Sequence, residues 1–164
     1  MKALVLFSGG IDSTTALGLA IKKYGKDQVI ALSVSYGQKH DKEIRAAIAV
    51  AEYYGVEHLF LDLSKIFQYS NCSLLQQSTE EIPEESYAEQ ISKQMAISVS
   101  TYVPFRNGLF LSSAASIALS KECGVIYYGA HADDSAGFAY PDCSPVFNQA
   151  MNEAIWEGSG HQLK

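Results

Sequence analysis

Ala3-Leu4-Val5-Leu6-Phe7-Ser8-Gly9-Gly10-Ile11-Asp12-Ser13-Thr14-Thr15 is the stretch from which the fold is read. Five apolar residues are closed by a hydroxyl and two glycines, and a helical period follows at once. Ser13, Leu17, Ala20, Ile21 and Tyr24 share one helix face, and Gly25 supplies a stop. A short unbroken apolar run reads as a strand buried on both faces of a parallel sheet. The turn between strand and helix is rich in donors. Glycines let backbone approach a ligand without Cβ contacts, and a helix N-terminus favours an anion. A tight strand-to-helix turn, with Asp12 or Ser13 as a plain N-cap, is the simpler alternative.

The same alternation continues outward. Val29 to Tyr36 reads as a second strand ended by Gly37. Ile44, Ala47, Ile48 and Ala51 form a helical stripe, ended by Gly55, and His58 to Asp62 reads as a third strand. Between about 64 and 102 periodicity fades, and Glu80-Glu81-Ile82-Pro83-Glu84-Glu85 is acidic. That length of irregular chain reads as an insertion able to act as a lid. A helix resumes at Asn107 with Leu111, Ala114, Ala115 and Ala118, and its stop is expected at Gly124. Val125 to Tyr128 reads as a fourth strand, Gly129 to Pro145 as a polar loop, and Phe147 to Trp156 as a last helix. Strands alternating with helices predict an α/β, Rossmann-like parallel sheet flanked by helices in one domain. Ligands in such sheets sit beyond the carboxyl ends of the strands, and each polar cluster here follows a strand.

Composition narrows the classes. Twelve basic residues against 18 acidic ones give the 164-residue chain a formal charge of −6, which disfavours direct nucleic-acid binding. No apolar run approaches the ~20 residues of a membrane span. Cys72, Cys123 and Cys143 are an odd count without a C-x-x-C pair, which fits a reducing compartment and a cytoplasmic protein.

The loop lacks the lysine of a Walker A motif and is not G-x-G-x-x-G. Ser8-Gly9-Gly10-Ile11-Asp12-Ser13 instead resembles the S-G-G-x-D-S signature of the PP-loop ATP pyrophosphatases, with their adenine-nucleotide alpha-hydrolase-like fold. Tyr36-Gly37-Gln38-Lys39-His40, Val103-Pro104-Phe105-Arg106-Asn107, Gly129-Ala130-His131-Ala132-Asp133-Asp134 and Tyr140-Pro141-Asp142-Cys143 extend the resemblance over nearly the whole chain. Together they resemble the 7-cyano-7-deazaguanine synthases of the queuosine pathway. That resemblance implies ATP-dependent conversion of 7-carboxy-7-deazaguanine and ammonia to the 7-cyano compound through an adenylated intermediate. It implies ATP with magnesium, small-molecule substrates, no nucleic-acid or membrane partner, and a homodimer.

It also implies site residues. ATP would lie against Phe7, Ser8, Gly9, Gly10, Ile11, Asp12, Ser13, Thr14, Thr15, Ala16 and Leu17. Asp12, Lys39 and Arg106 would serve catalysis, and Tyr36, His40, Arg106, Asn107, Asp134 and Asp142 the deazaguanine substrate. The chemistry suits those types. Arg106 offers a planar fork to a carboxylate, Tyr36 a flat stacking surface, and Asp134 and Asp142 acceptors for base N–H edges. Plainer roles stay open: a carboxylate partner for Arg106, a helix-start position for His40, turn positions for Asp133 and Asp134, and packing for His58 and Cys143. Another adenylating ligase or tRNA-modifying enzyme of the superfamily, or a non-catalytic ATP-binding fragment, also fits the loop. Family members are expected to add a further strand and helix and four zinc-binding cysteines. Residues 1–164 contain no such group, so the resemblance implies a single PP-loop domain without its C-terminal strand and zinc tail.

Overall fold

The computed structural model describes residues 1–39, 42–79 and 100–164. Four strands form one parallel sheet in the order β3-β2-β1-β4: β1 (Lys2–Leu6), β2 (Val29–Ser35), β3 (Glu57–Asp62) and β4 (Cys123–Tyr127). Helices α1 (Ile11–Tyr24), α2 (Lys42–Tyr54) and α4 (Arg106–Ser120) connect or flank them. A single turn, α3 (Ser64–Phe67), follows β3, and α5 (Pro145–Gly158) follows β4. No helix among the described residues is long and apolar enough to cross a membrane.

Adjacent strand residues point to opposite faces, so two cores form. Val5, Phe7 and Ala31 pack with Leu17 of α1 and with Ala47 and Ala51 of α2. Leu4, Ile30 and Leu32 pack on the other face with Ala114 and Ala118 of α4. Burial on both faces explains why β1 and β2 read as continuous apolar runs. A third cluster of Phe67, Cys72, Leu75 and Val103 has Tyr36 and Phe110 packed against it. It is tied to the chain beyond β2 by backbone bonds from Lys39 to Leu74 (3.0 Å) and from Gln76 to Gly37 (2.8 Å). This part of the 64–102 segment is therefore packed structure; its residues 80–99 lie outside those described.

Several boundaries differ from the sequence reading. On α2, Ile48 is exposed and Val50 packs inward beside Ala47 and Ala51, because α2 is rolled toward its small residues. Helix α4 stops at Ser120, four residues before Gly124. Glu122 takes the left-handed conformation (φ 58°), and β4 begins at Cys123. Gly124 is a strand residue whose missing side chain leaves room for Met1: a Cβ there would lie 2.7 Å from the Met1 sulfur. Helix α5 starts at Pro145, earlier than Phe147, because the Ser144 hydroxyl accepts from the Phe147 N–H (3.1 Å) and Pro145 suits a first helical position. Leu163 is fully buried in the second core, and Lys164 exchanges backbone bonds with Ile126 and Gly124 beside β4.

Candidate functional site

The loop after β1 is built by its two serines. The Ser13 hydroxyl accepts from the Ser8 N–H (3.2 Å) and reaches the Gly10 carbonyl (3.1 Å), while the Ser8 hydroxyl accepts from the Gly10 N–H (3.2 Å). Gly10 is the N-cap of α1, so neither Asp12 nor Ser13 holds that position, and no side chain caps the first turn. The two glycines differ. Gly9 has φ +84° and lies on the backbone of α2, where a Cβ would stand 2.5 Å from the Ala47 nitrogen. Gly10 has φ −75°, and a Cβ there would meet only the Ser8 hydroxyl, at 3.3 Å. Chain packing thus demands Gly9, whereas Gly10 leaves an open face at the helix N-terminus, a cradle for an anion.

Phe7, Ser8 and Ser13 line one end of a cavity of about 390 Å³ at the carboxyl end of the sheet. Tyr36, Lys39, Arg106 and Asn107 line it too, together with Glu43 and Phe110. The Arg106 guanidinium lies over the Tyr36 ring at 5.4 Å, and its Nη1 reaches the Tyr36 hydroxyl at 3.4 Å. Among the described residues no carboxylate forms an ion pair with Arg106, which leaves its planar donors for a ligand. Burial raises the Tyr36 pKa against the opposing pull of Arg106, so the phenol stays protonated. Phe110 stands 5.7 Å from the Tyr36 ring, one helical turn beyond Arg106. The i, i+4 relation in α4 could have placed it on this wall from sequence alone.

Asn107 is anchored from outside the cavity. Its backbone N–H donates to Asp142 Oδ2 (2.8 Å), and its amide donates to the Asp142 carbonyl (3.1 Å) and reaches Cys143 Sγ (3.3 Å). Asp142 is 4% exposed and serves the first turn of α4, which has no cap of its own. Burial and the neighbouring Asp142 raise the Cys143 pKa, so the thiol is protonated. Phe105 enters α4 with φ 54°, and its ring covers Gly108, where a Cβ would overlap it.

The remaining residues distribute as follows. Asp12 is exposed, and its Oδ2 meets His131 Nε2 at 3.1 Å; sequence reading quoted His131 without giving it a role. Gly129 closes the same corner, since a Cβ there would lie 3.0 Å from the Asp12 Cβ. Neither Asp134 nor Asp142 lines the cavity. Ala16 and Leu17 are buried in the first core, away from the cavity, while Ile11 and Thr15 face outward. Thr14 contributes its backbone N–H to the Gly10 carbonyl (2.9 Å). His40 lies outside the described residues. Among the described residues no three His, Cys, Asp or Glu side chains are grouped to hold a metal, and the three cysteines are buried apart from one another. A four-ligand zinc centre does not fit these residues. A magnesium ion needs less, one or two carboxylates beside substrate phosphates, and Asp12 at the loop meets that donor requirement.

Residues 2–164 match the family profile described as queuosine biosynthesis protein QueC. A 7-cyano-7-deazaguanine synthase from Marinomonas sp. is 45% identical over 152 residues, which are 92% of this chain and 64% of that protein. The corresponding synthase from Oceanobacillus iheyensis is 40% identical over 159 residues, 96% of this chain and 66% of its own length. The chain therefore spans slightly less than two thirds of these relatives. Among solved structures, the U34-tRNA thiolase NcsA from Methanococcus maripaludis superposes with a TM-score of 0.51 at 20% identity, over 83% of this chain and 40% of that one, a likeness of fold.

Proposed function

Since the chain belongs to the QueC family, we propose that it carries the ATP-dependent half-site and the substrate wall of a 7-cyano-7-deazaguanine synthase. The observation that supports this reading most is the cavity that joins Ser8 and Ser13 of the loop after β1 to the Arg106–Tyr36 pair. In this reading the loop N–H groups and the α1 N-terminus receive the phosphates of ATP, and the open face of Gly10 lets them approach. Magnesium, held by Asp12 and the phosphates, would neutralise charge on the departing pyrophosphate; Asp12 would then exchange its contact with His131 for the metal.

Arg106 would hold the substrate carboxylate in a two-point contact, with the deazaguanine ring near Tyr36 and Phe110. The carboxylate oxygen attacks the α-phosphorus and pyrophosphate leaves. Ammonia then displaces AMP, losing a proton, to give the amide. A second ATP adenylates the amide oxygen with release of pyrophosphate, and departure of that oxygen as AMP with loss of the two N–H protons gives the nitrile. Lys39, at the same wall, would face the charge that develops on the phosphoryl oxygens.

The test is to incubate the chain with Mg·ATP, ammonia and 7-carboxy-7-deazaguanine and to follow products by mass spectrometry. The amide and nitrile, with AMP and pyrophosphate, are expected, and D12A should abolish pyrophosphate release while remaining folded. Pyrophosphate release by D12A at the unsubstituted rate would refute the role of the loop. ATP binding with no product would favour a nucleotide-binding unit whose chemistry needs more chain.

A further inference from the structure

A polar chain runs from β3 into the cavity wall and takes no part in the chemistry above. Ser33 is the first polar residue in the apolar run of β2 and is 4% exposed. Its hydroxyl oxygen lies 2.6 Å from the Phe7 carbonyl oxygen and 2.8 Å from His58 Nε2. A carbonyl only accepts, so the Ser33 proton is directed to Phe7. The contact with His58 is then satisfied when Nε2 carries a proton and donates to Ser33. His58 sits on β3 between two rings, Phe60 at 4.3 Å and the edge of Phe7 at 6.0 Å. Burial lowers its pKa, which favours the neutral imidazole.

The chain ends on the peptide that joins Phe7 to Ser8. Ser33 takes its carbonyl, and its N–H donates to the Ser13 hydroxyl at 3.2 Å. Both polar groups of this peptide are held by side-chain hydroxyls at the point where β1 leaves the sheet and the loop begins. The β1–β2 ladder ends at the pair Leu6 and Leu32, with one further bond from the Phe7 N–H to the Leu32 carbonyl (2.8 Å). Ser33 thus supplies from its side chain what the next rung of a ladder would supply from backbone. The strands are free to part there, and Leu32, Ser33 and Val34 line the cavity that opens.

We propose that His58 is a positioning residue of the nucleotide site: as the Nε2–H tautomer it donates to Ser33, commits the Ser33 proton to the Phe7 carbonyl, and so sets the orientation from which the phosphate loop springs. The inference rests on the nucleotide reading of the cavity. Hydrogen bonds in series polarise one another, so the effect of His58 reaches a loop it does not touch.

Two measurements test it. Long-range nitrogen–proton correlation spectra of the full chain should show His58 as the Nε2–H tautomer; the Nδ1–H tautomer would overturn the inference. Calorimetric titration with Mg·ATP should show H58F binding about three- to tenfold more weakly, the fold-change of one net hydrogen bond. H58Q, which keeps an amide donor near Nε2, should restore affinity to within about twofold, and S33A combined with H58F should bind no more weakly than S33A alone, because both act through one chain. S33A carries the same test should H58F fail to fold. A purely structural His58 would lower the melting temperature and leave Mg·ATP affinity unchanged in H58F, which overturns the inference alone. No Mg·ATP binding by the unsubstituted chain removes the nucleotide reading and this inference with it.

Discussion

Substituting each glycine of the loop by alanine separates folding from binding. At Gly9 two costs add. An alanine at φ +84° loses roughly 1–2 kcal/mol in the left-handed region. Its Cβ would also stand 2.5 Å from the Ala47 nitrogen and 2.7 Å from the Glu43 carbonyl oxygen. These are backbone atoms of α2 that cannot swing aside, and overpacking of this kind costs about 1–3 kcal/mol. G9A should therefore lose about 2–5 kcal/mol, a fall in melting temperature of roughly 4–20 °C for a chain of this size. At Gly10 the backbone already suits alanine, and the nearest neighbour of a Cβ is the flexible Ser8 hydroxyl at 3.3 Å. G10A should cost only about 0.5–1 kcal/mol, as a poorer N-cap. Its methyl group would project where an anion approaches the α1 N-terminus, so Mg·ATP binding should weaken on the order of tenfold, about 1.4 kcal/mol. Differential scanning calorimetry and isothermal titration of both variants read the two effects. Equal melting temperatures for G9A and G10A would refute the contact with α2. Undiminished Mg·ATP affinity in G10A would refute the ligand-facing role.

Three further outcomes follow from the same geometry. D142A should destabilise the chain by about 1.5–3 kcal/mol in urea titrations, since it strips a charged, buried acceptor from the half-buried N–H of Asn107; a change below about 0.5 kcal/mol would mean that the first turn of α4 has another partner. R106K should weaken binding of 7-carboxy-7-deazaguanine more than that of Mg·ATP in calorimetric titrations, because lysine cannot reproduce a planar two-point contact; equal losses would move Arg106 to the nucleotide. Burial lowers the folded-state pKa of His58, so as pH falls below about 6.5 the unfolded chain takes up its proton first. Stability should therefore decline from near that pH down to the lowered folded value, and H58Q should flatten this slope in denaturation curves; an unaltered slope would place the titration elsewhere.

Much of the fold was legible because its signals are local. Apolar runs marked β1 and β2, since a strand covered on both faces by helices has no side to leave polar. Gly25 and Gly55 marked the ends of α1 and α2, where both take positive φ. The loop after β1 was legible as a pattern of types, two glycines and several hydroxyls at the start of a helix. At the other end of α4 the same logic misled: Glu122 makes the left-handed turn, and Gly124 serves the side chain of Met1, 123 positions away.

The sequence by itself determined the alternation of strands and helices and the family whose motifs lie along it. Periodicity and spacing act within a few residues, and they are enough for that. Which glycine packs against a neighbouring helix and which stays open was decided only in three dimensions, because Gly9 meets α2 through a crossover of more than thirty residues. The same is true of the contact between the Asp142 carboxylate and the Asn107 N–H, and of His131, brought to Asp12 from the loop beyond β4. The link from His58 on β3 through Ser33 on β2 to Phe7, just past the end of β1, exists only because these parallel strands lie next to one another; the register pairs His58 with Ala31, two residues before Ser33. Contacts between elements depend on how whole strands and helices pack, and no local pattern encodes which side chains that packing will bring face to face.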